Sequence, residues 1–151
     1  MNLEPATAEL YTRHAFTQML EVADRLGEPK VNERPLGPRT NAVAALIIHC
    51  CEVTEFWLGH VGLGRPSHRD RESEFTRTAT LAELHAMVDA TVATAREDLD
   101  RICRGDTQAD RTGFVFLFGG DESDGALVIH VLEELYQHLG HMEIAADALI
   151  S

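Results

Sequence analysis

The chain has 151 residues, with 13 Lys and Arg against 25 Asp and Glu and a formal net charge of −12. That length suits one domain, residues 1–151, with a sizeable core, and the acid excess argues against partners that present a phosphate backbone or an anionic lipid face. Hydrophobic residues at 44% and charged residues at 25% give an ordinary globular balance rather than a disordered one.

No apolar run approaches the length of a membrane span, and the opening MNLEPATAEL has neither a basic n-region nor an apolar h-region. The expectation is a cytoplasmic protein with no nucleic-acid and no membrane partner. Cys50 and Cys51 are adjacent and Cys103 stands alone. An odd count without C-x-x-C is neither a disulfide framework nor a zinc ribbon, and buried thiols are expected. Lys30 is the only lysine against twelve arginines, a bias that fits GC-rich coding.

The first predicted helix runs from about Pro5 to Leu26, with Leu10, Ala15, Phe16, Met19, Leu20 and Ala23 at helical spacing. Gly27 and Pro29 end it, and the Pro- and Gly-rich VNERPLGPRT follows as a loop. The second helix starts near Thr40 or Asn41, both competent N-caps, and runs to about His60, where Gly59, Gly62, Gly64 and Pro66 stop it. The charged stretch from His68 to Glu74 reads as a solvated loop. The third helix opens on Thr80 with Glu83 three residues on, a capping box. Its apolar positions continue through Leu84, Met87, Val88, Val92, Ala95, Leu99 and Ile102 to Gly105. Phe114–Phe118 (FVFLF) is strand-like in composition but has no partner strand to satisfy its backbone, so an apolar loop across the bundle is expected. The fourth helix runs from an N-cap at Asp124 to about Leu149. Four such helices predict an all-α four-helix bundle with long inter-helix loops.

Eight histidines are placed unevenly along this framework. On a wheel of 100° per residue, Leu127, Val131, Met142, Ala145 and Leu149 fall within about 40° of His138. His138 is thus predicted in the middle of the buried stripe. Glu134 lies one turn earlier, and His130 and His141 share the same flank. On the second helix, His49 lies among Ala42, Ala45, Val53 and Phe56, His60 is on the same side, and Trp57 is about 80° away, which suggests core or interface rather than a substrate platform. A lone carboxylate on an apolar face is costly unless paired or metal-bound. Two readings account for Glu134 beside His138: a His⁺–carboxylate pair at i, i+4, or a divalent metal with both as ligands. Two histidines and one carboxylate form a common three-ligand catalytic zinc set with an open position, and N/O donors also accept Ni²⁺, Fe²⁺ or Mn²⁺.

Two stretches carry a family resemblance. TNAVAALIIHCCEVTEFWLGHVGLGRP, Thr40–Pro66, resembles the second helix of the DinB-like metal-dependent four-helix proteins, with its single metal-binding histidine at His49. GALVIHVLEELYQHLGHMEIAADAL, Gly125–Leu149, resembles their last helix, where a His or Glu is followed four residues later by His and then x-Gly-Gln or x-Gly-His. Here those positions are Glu134, His138, Gly140 and His141. The family includes thiol-dependent S-transferases and mycothiol-dependent maleylpyruvate isomerases. Many members carry His at the Glu134 position; the mycothiol-linked branch uses Glu there.

The resemblance implies a DinB-like bundle with a divalent metal, zinc first and Ni, Fe or Mn next, on His49, Glu134 and His138. His130 and His141 then stand behind the ligands or in the substrate pocket. It also implies a low-molecular-weight, mycothiol-like thiol as co-substrate for attack on an electrophile. The isomerases carry a further C-terminal domain, so a stand-alone bundle resembles the transferases or the stress-induced members more closely. The alternatives are a non-catalytic metal-binding stress-response protein and a structural helical dimer whose histidines are core residues. The acidic surface does not forbid a homodimer, and relatives are often dimers. Phe114–Phe118 is expected to pack in the core or to roof the pocket.

Overall fold

The computed structural model describes residues 3–107, 111 and 123–150. Helix α1 spans Pro5–Val31, with proline in its first turn, where the missing N–H costs nothing. Gly27 leaves helical geometry at φ 77°, ψ 170°, so the predicted stop is a kink, and a short turn containing Pro29 continues to Val31. Leu10, expected on the apolar stripe, is exposed; Ala8, Thr12, Ala15, Phe16 and Met19 face the core instead.

Helix α2 spans Val43–Thr54 and continues as a π-helix over Glu55–Gly62. Its N-cap is Ala42, one residue past the predicted start, without a side-chain cap. Thr40 instead accepts from the Leu36 N–H at 3.1 Å and donates to the Gly37 carbonyl at 3.0 Å, closing the preceding turn. Every residue from Val43 to Cys51 is buried, so α2 is the central helix, wrapped on all sides. Residues 37–62 are in fact long and apolar enough to cross a membrane by length and composition, contrary to the sequence expectation. However, 83% of the most apolar window is buried inside the fold.

A single-turn helix, α3, Arg71–Glu74, interrupts the predicted solvated loop. Helix α4, Leu81–Cys103, begins with the predicted capping box: Glu83 N–H donates to Thr80 Oγ1 at 3.2 Å, and Thr80 N–H donates to Glu83 Oε2 at 2.8 Å. Helix α5 spans Asp124–Ile150. Its N-terminal cap is Ser123 rather than Asp124, since Ser123 Oγ accepts from the Ala126 N–H at 3.2 Å. At its other end Lys30 Nζ donates to the Leu149 carbonyl at 2.8 Å, a cation on the negative end of the helix.

Helix α1 packs on α4 and α5, and α2 fills the space between α4 and α5. The described residues are helical or irregular and hold no strand, as expected of an all-α bundle. The π-helical end of α2 needs glycine. A Cβ on Gly62 would sit 2.8 Å from Ile102 Cδ1 and 3.0 Å from Leu127 Cδ2, so the absent side chain is what lets α2 close on α4 and α5. Phe114–Phe118 lies outside the described residues.

Candidate metal centre

The site forms where α2, α3 and α5 meet. His49 comes from the middle of α2 and is 5% exposed. Glu134 and His138 stand one turn apart on α5, so their side chains share a face. The two imidazole rings meet edge to face with centroids 4.6 Å apart. Glu134 Oε2 lies 3.5 Å from His138 Nε2 and 3.9 Å from His49 Nε2. One ligand atom from each residue can be chosen so that all three lie within 4.8 Å of one another. Two donors about 2.1 Å from a tetrahedral zinc stand about 3.4 Å apart, so two edges of this triangle are already close to metal-bound dimensions. The donor set fits a divalent cation.

Glu74 sets the orientation of His49. It is fully buried, yet the sequence placed it in a solvated loop. His49 Nδ1–H donates to Glu74 Oε2 at 2.6 Å, which turns Nε2 toward Glu134. Such a carboxylate behind a ligating histidine fixes tautomer and ring angle. Arg69 holds the carboxylate from the other side, through Nε to Oε1 at 2.5 Å and Nη2 to Oε2 at 3.1 Å, and its guanidinium lies over the Phe56 ring at 5.2 Å. Burial pushes the Glu74 pKa up; the Arg69 and His49 hydrogen bonds more than reverse this, and the carboxyl stays below its usual range. The His138 and His49 imidazoles hold the Glu134 carboxyl far below its usual range, against a smaller upward push from burial. Both carboxylates are therefore ionised at neutral pH. A charge run in the sequence gave no sign that one of its carboxylates turns inward.

His138 lies at the edge of the buried stripe, not its middle. Its side chain is 20% exposed, whereas Leu135 and Leu139 are buried beside it. The stripe is centred about 50° round the helix, near Leu135, and this rotation is what exposes His138 to a cleft. That cleft measures 730 Å³. His49, Glu134 and His138 line one part of it, Val53, Phe56, Trp57 and Phe75 form an apolar wall, and His60, Ser67, Arg69 and Arg71 line another part.

Trp57, expected away from the site, lines the cleft and packs edge-on against His130 at 4.6 Å. The wider i→i+5 turn over Glu55–Gly62 advances each residue by less than 100°, which brings Trp57 back toward the His49 side.

His130 also lines the cleft, with Nε2 4.0 Å from Glu134 Oε1. Its Nδ1 is buried, lies 3.6 Å from Glu133 Oε2 and, among the described residues, has no hydrogen-bond partner. His141 is exposed, does not line the cleft, and stacks on His138 at 6.3 Å. His60 lines the cleft and donates Nδ1–H to the Arg65 carbonyl at 2.7 Å. His14 and His68 are exposed, and His85 pairs with Asp24 at 2.9 Å. Cys50 and Cys51 are buried, and burial pushes both thiols up, Cys51 to about 12. Neither thiol is suited to be a thiolate ligand or nucleophile at neutral pH.

No curated protein and no solved structure matches the chain. The family model of the DinB superfamily matches residues 11–142, a span that takes in His49, Glu74, Glu134 and His138. The chain therefore belongs to the DinB superfamily.

Proposed function

We propose that this protein is a divalent-metal-dependent transferase that activates a low-molecular-weight, mycothiol-like thiol for attack on an electrophile. The observation that carries the reading is the convergence of His49, Glu134 and His138 on one part of a 730 Å³ cleft, with the ligand atoms within 4.8 Å of one another. Those three residues would hold the metal, and zinc suits two imidazoles and a carboxylate, with Ni²⁺, Fe²⁺ or Mn²⁺ as the next candidates. The bound ion would supply the Lewis acidity that deprotonates a thiol at neutral pH.

The chain's own residues do the rest. Glu74 keeps His49 in the tautomer that presents Nε2. Among the described residues Glu134 contributes the only carboxylate on the cleft lining, so one negative charge in the donor set would leave a divalent ion with net positive charge. Phe56, Trp57 and Phe75 give the cleft an apolar wall, which lowers the local dielectric and strengthens charge interactions beside it.

The test has two stages. Purified protein is assayed for bound transition metal, and metal-loaded protein is then assayed for consumption of a low-molecular-weight thiol in the presence of 1-chloro-2,4-dinitrobenzene. Stoichiometric metal with metal-dependent thiol consumption supports the reading. Stoichiometric metal without turnover points to a metal-binding stress protein, and failure to take up any divalent metal overturns the proposal.

A further inference from the structure

Arg71 is the charged group of the cleft that the metal reading leaves unused. It lines the cleft and is exposed there. Among the described residues its side chain makes no hydrogen bond and no ion pair. The other arginine on the lining, Arg69, is committed to Glu74 through two hydrogen bonds. Asp70 and Glu72 flank Arg71 in sequence, and neither pairs with it.

Its place is fixed by the fold. Arg71 and Glu74 are three apart on the single turn of α3, hence on one side of it. Glu74 is buried and tied to both His49 and Arg69. The anchor that orients the metal ligand therefore also carries Arg71 to the cleft.

A guanidinium without a partner offers a planar fork of donors matched to a carboxylate. The wall beside it is apolar, built from Val53, Phe56, Trp57 and Phe75. A volume of 730 Å³ suits a small organic molecule. The overall charge of −12 repels anions at long range, but that field is screened beyond about 8 Å at physiological ionic strength. At contact distance the local cation decides.

We infer that Arg71 is a specificity residue: the cleft takes a small organic acid, a carboxylate on an aromatic or alkyl body, with the carboxylate on Arg71 and the body on the aromatic wall. Calling this acid the electrophilic substrate rests on the thiol-transfer reading; the preference for an anion stands on Arg71 alone.

Trp57, the only tryptophan, lines the cleft and reports binding without turnover. The probes are 4-phenylbutanoate and its uncharged amide, titrated against tryptophan fluorescence in wild type, Arg71→Gln and Arg71→Lys. Each protein is measured metal-loaded and after chelation.

The wild-type protein is expected to bind the acid about tenfold more tightly than the amide, equivalent to about 1.4 kcal/mol. Arg71→Gln is expected to abolish the difference by weakening the acid alone, and Arg71→Lys to keep part of it. Equal affinity for acid and amide in wild type overturns the inference, as does binding of neither probe. A preference that survives Arg71→Gln but disappears on chelation also overturns it, because the anion then sits on the metal. An Arg71-dependent preference in protein that takes up no metal leaves this inference standing while the thiol-transfer reading fails.

Discussion

Replacing Glu74 by Gln separates the carboxylate's electrostatic role from its shape. The side chain is fully buried, so no water can take its place. Gln retains a carbonyl oxygen to accept the His49 Nδ1–H, now held at 2.6 Å, but it removes the charge that faces Arg69 at 2.5 and 3.1 Å. The Arg69 side chain is only 13% exposed. Breaking a buried pair by removing one charge costs about 3–5 kcal/mol; because Gln keeps one acceptor and the cleft admits water to Arg69, we expect about 2 kcal/mol in chemical denaturation of the metal-free protein. Metal affinity, read by competition with a chromophoric chelator, should fall about 10–100-fold, the usual effect of losing the carboxylate behind a ligating histidine. The control is Glu52→Gln, which removes the α2 carboxylate paired with exposed Arg77 and should change either quantity little. The acid limb gives a second readout. The native Glu74 pKa lies below its ordinary value, so its contribution to stability is complete above the unfolded-state value of about 4.3 and is lost as pH falls through the native one. Glu74→Gln should flatten stability against pH below about pH 5. Unchanged metal affinity in a folded Glu74→Gln protein would refute the orienting role.

Glu134→Gln should weaken metal binding by more than about 100-fold, beyond the effect expected for a residue behind a ligand, while His141→Gln, on the outer side of His138, should change it less than threefold, roughly the level of a neutral surface change; equal losses in a metal titration would mean the ligand set is misassigned. Metal at about 100 times its dissociation constant should stabilise the protein by about 2.7 kcal/mol, a rise in Tm of about 5–10 °C for a chain of this size. Chelator should remove that rise at pH 8, and the gap should shrink toward pH 5 as protons compete for the His49 and His138 nitrogens; a Tm indifferent to chelator in protein shown to contain metal would place the ion elsewhere. Gly62→Ala, whose Cβ would meet Ile102 at 2.8 Å and Leu127 at 3.0 Å, should cost about 1–3 kcal/mol in denaturant unfolding.

The long helices were legible because each rests on a local signal. The Thr80–Glu83 capping box begins α4 where it was expected, and Gly27 breaks α1 where it was expected. His49, Glu134 and His138 come together because each lies near an apolar stripe, and periodicity reports that directly. Two features depended on tertiary structure and left no local trace. The inward turn of Glu74 requires Arg69 and His49 to compensate its burial, and those partners lie 5 and 25 residues away. The π-helix over Glu55–Gly62 ends with Gly62 packed against Ile102 and Leu127, a change of pitch that the local sequence does not announce, so a wheel of constant pitch carried Trp57 away from a cleft that it lines. The wheel also put His138 at the centre of its stripe, because it counted Leu127, Val131, Met142, Ala145 and Leu149 and left out Val128, Leu135, Leu139 and Ala146, which are buried further round the helix.

Charge balance ties the two proposals together. Glu74 and Arg69 form a neutral pair behind His49, so Glu134 is the carboxylate left to face an incoming cation. A divalent ion on this set carries one net positive charge, and Arg71 adds another on the lining. Metal loading should therefore strengthen binding of an organic anion in the cleft. Linkage then requires that the anion strengthen metal binding by the same factor. With 4-phenylbutanoate as probe we expect a factor of about 3–10, roughly 0.7–1.4 kcal/mol, since the two positive centres share one cleft without sharing a ligand. Arg71→Gln should lower the acid's affinity in both metal states and bring the coupling factor to about one, because Arg71 is what holds the carboxylate within the field of the ion. Metal competition titrations run with and without the acid measure it. A factor of one in wild type would mean that the anion lies beyond the reach of the ion. A factor that keeps its wild-type value in Arg71→Gln would mean that the anion sits on the metal rather than on Arg71, and would refute the assignment of the carboxylate to Arg71.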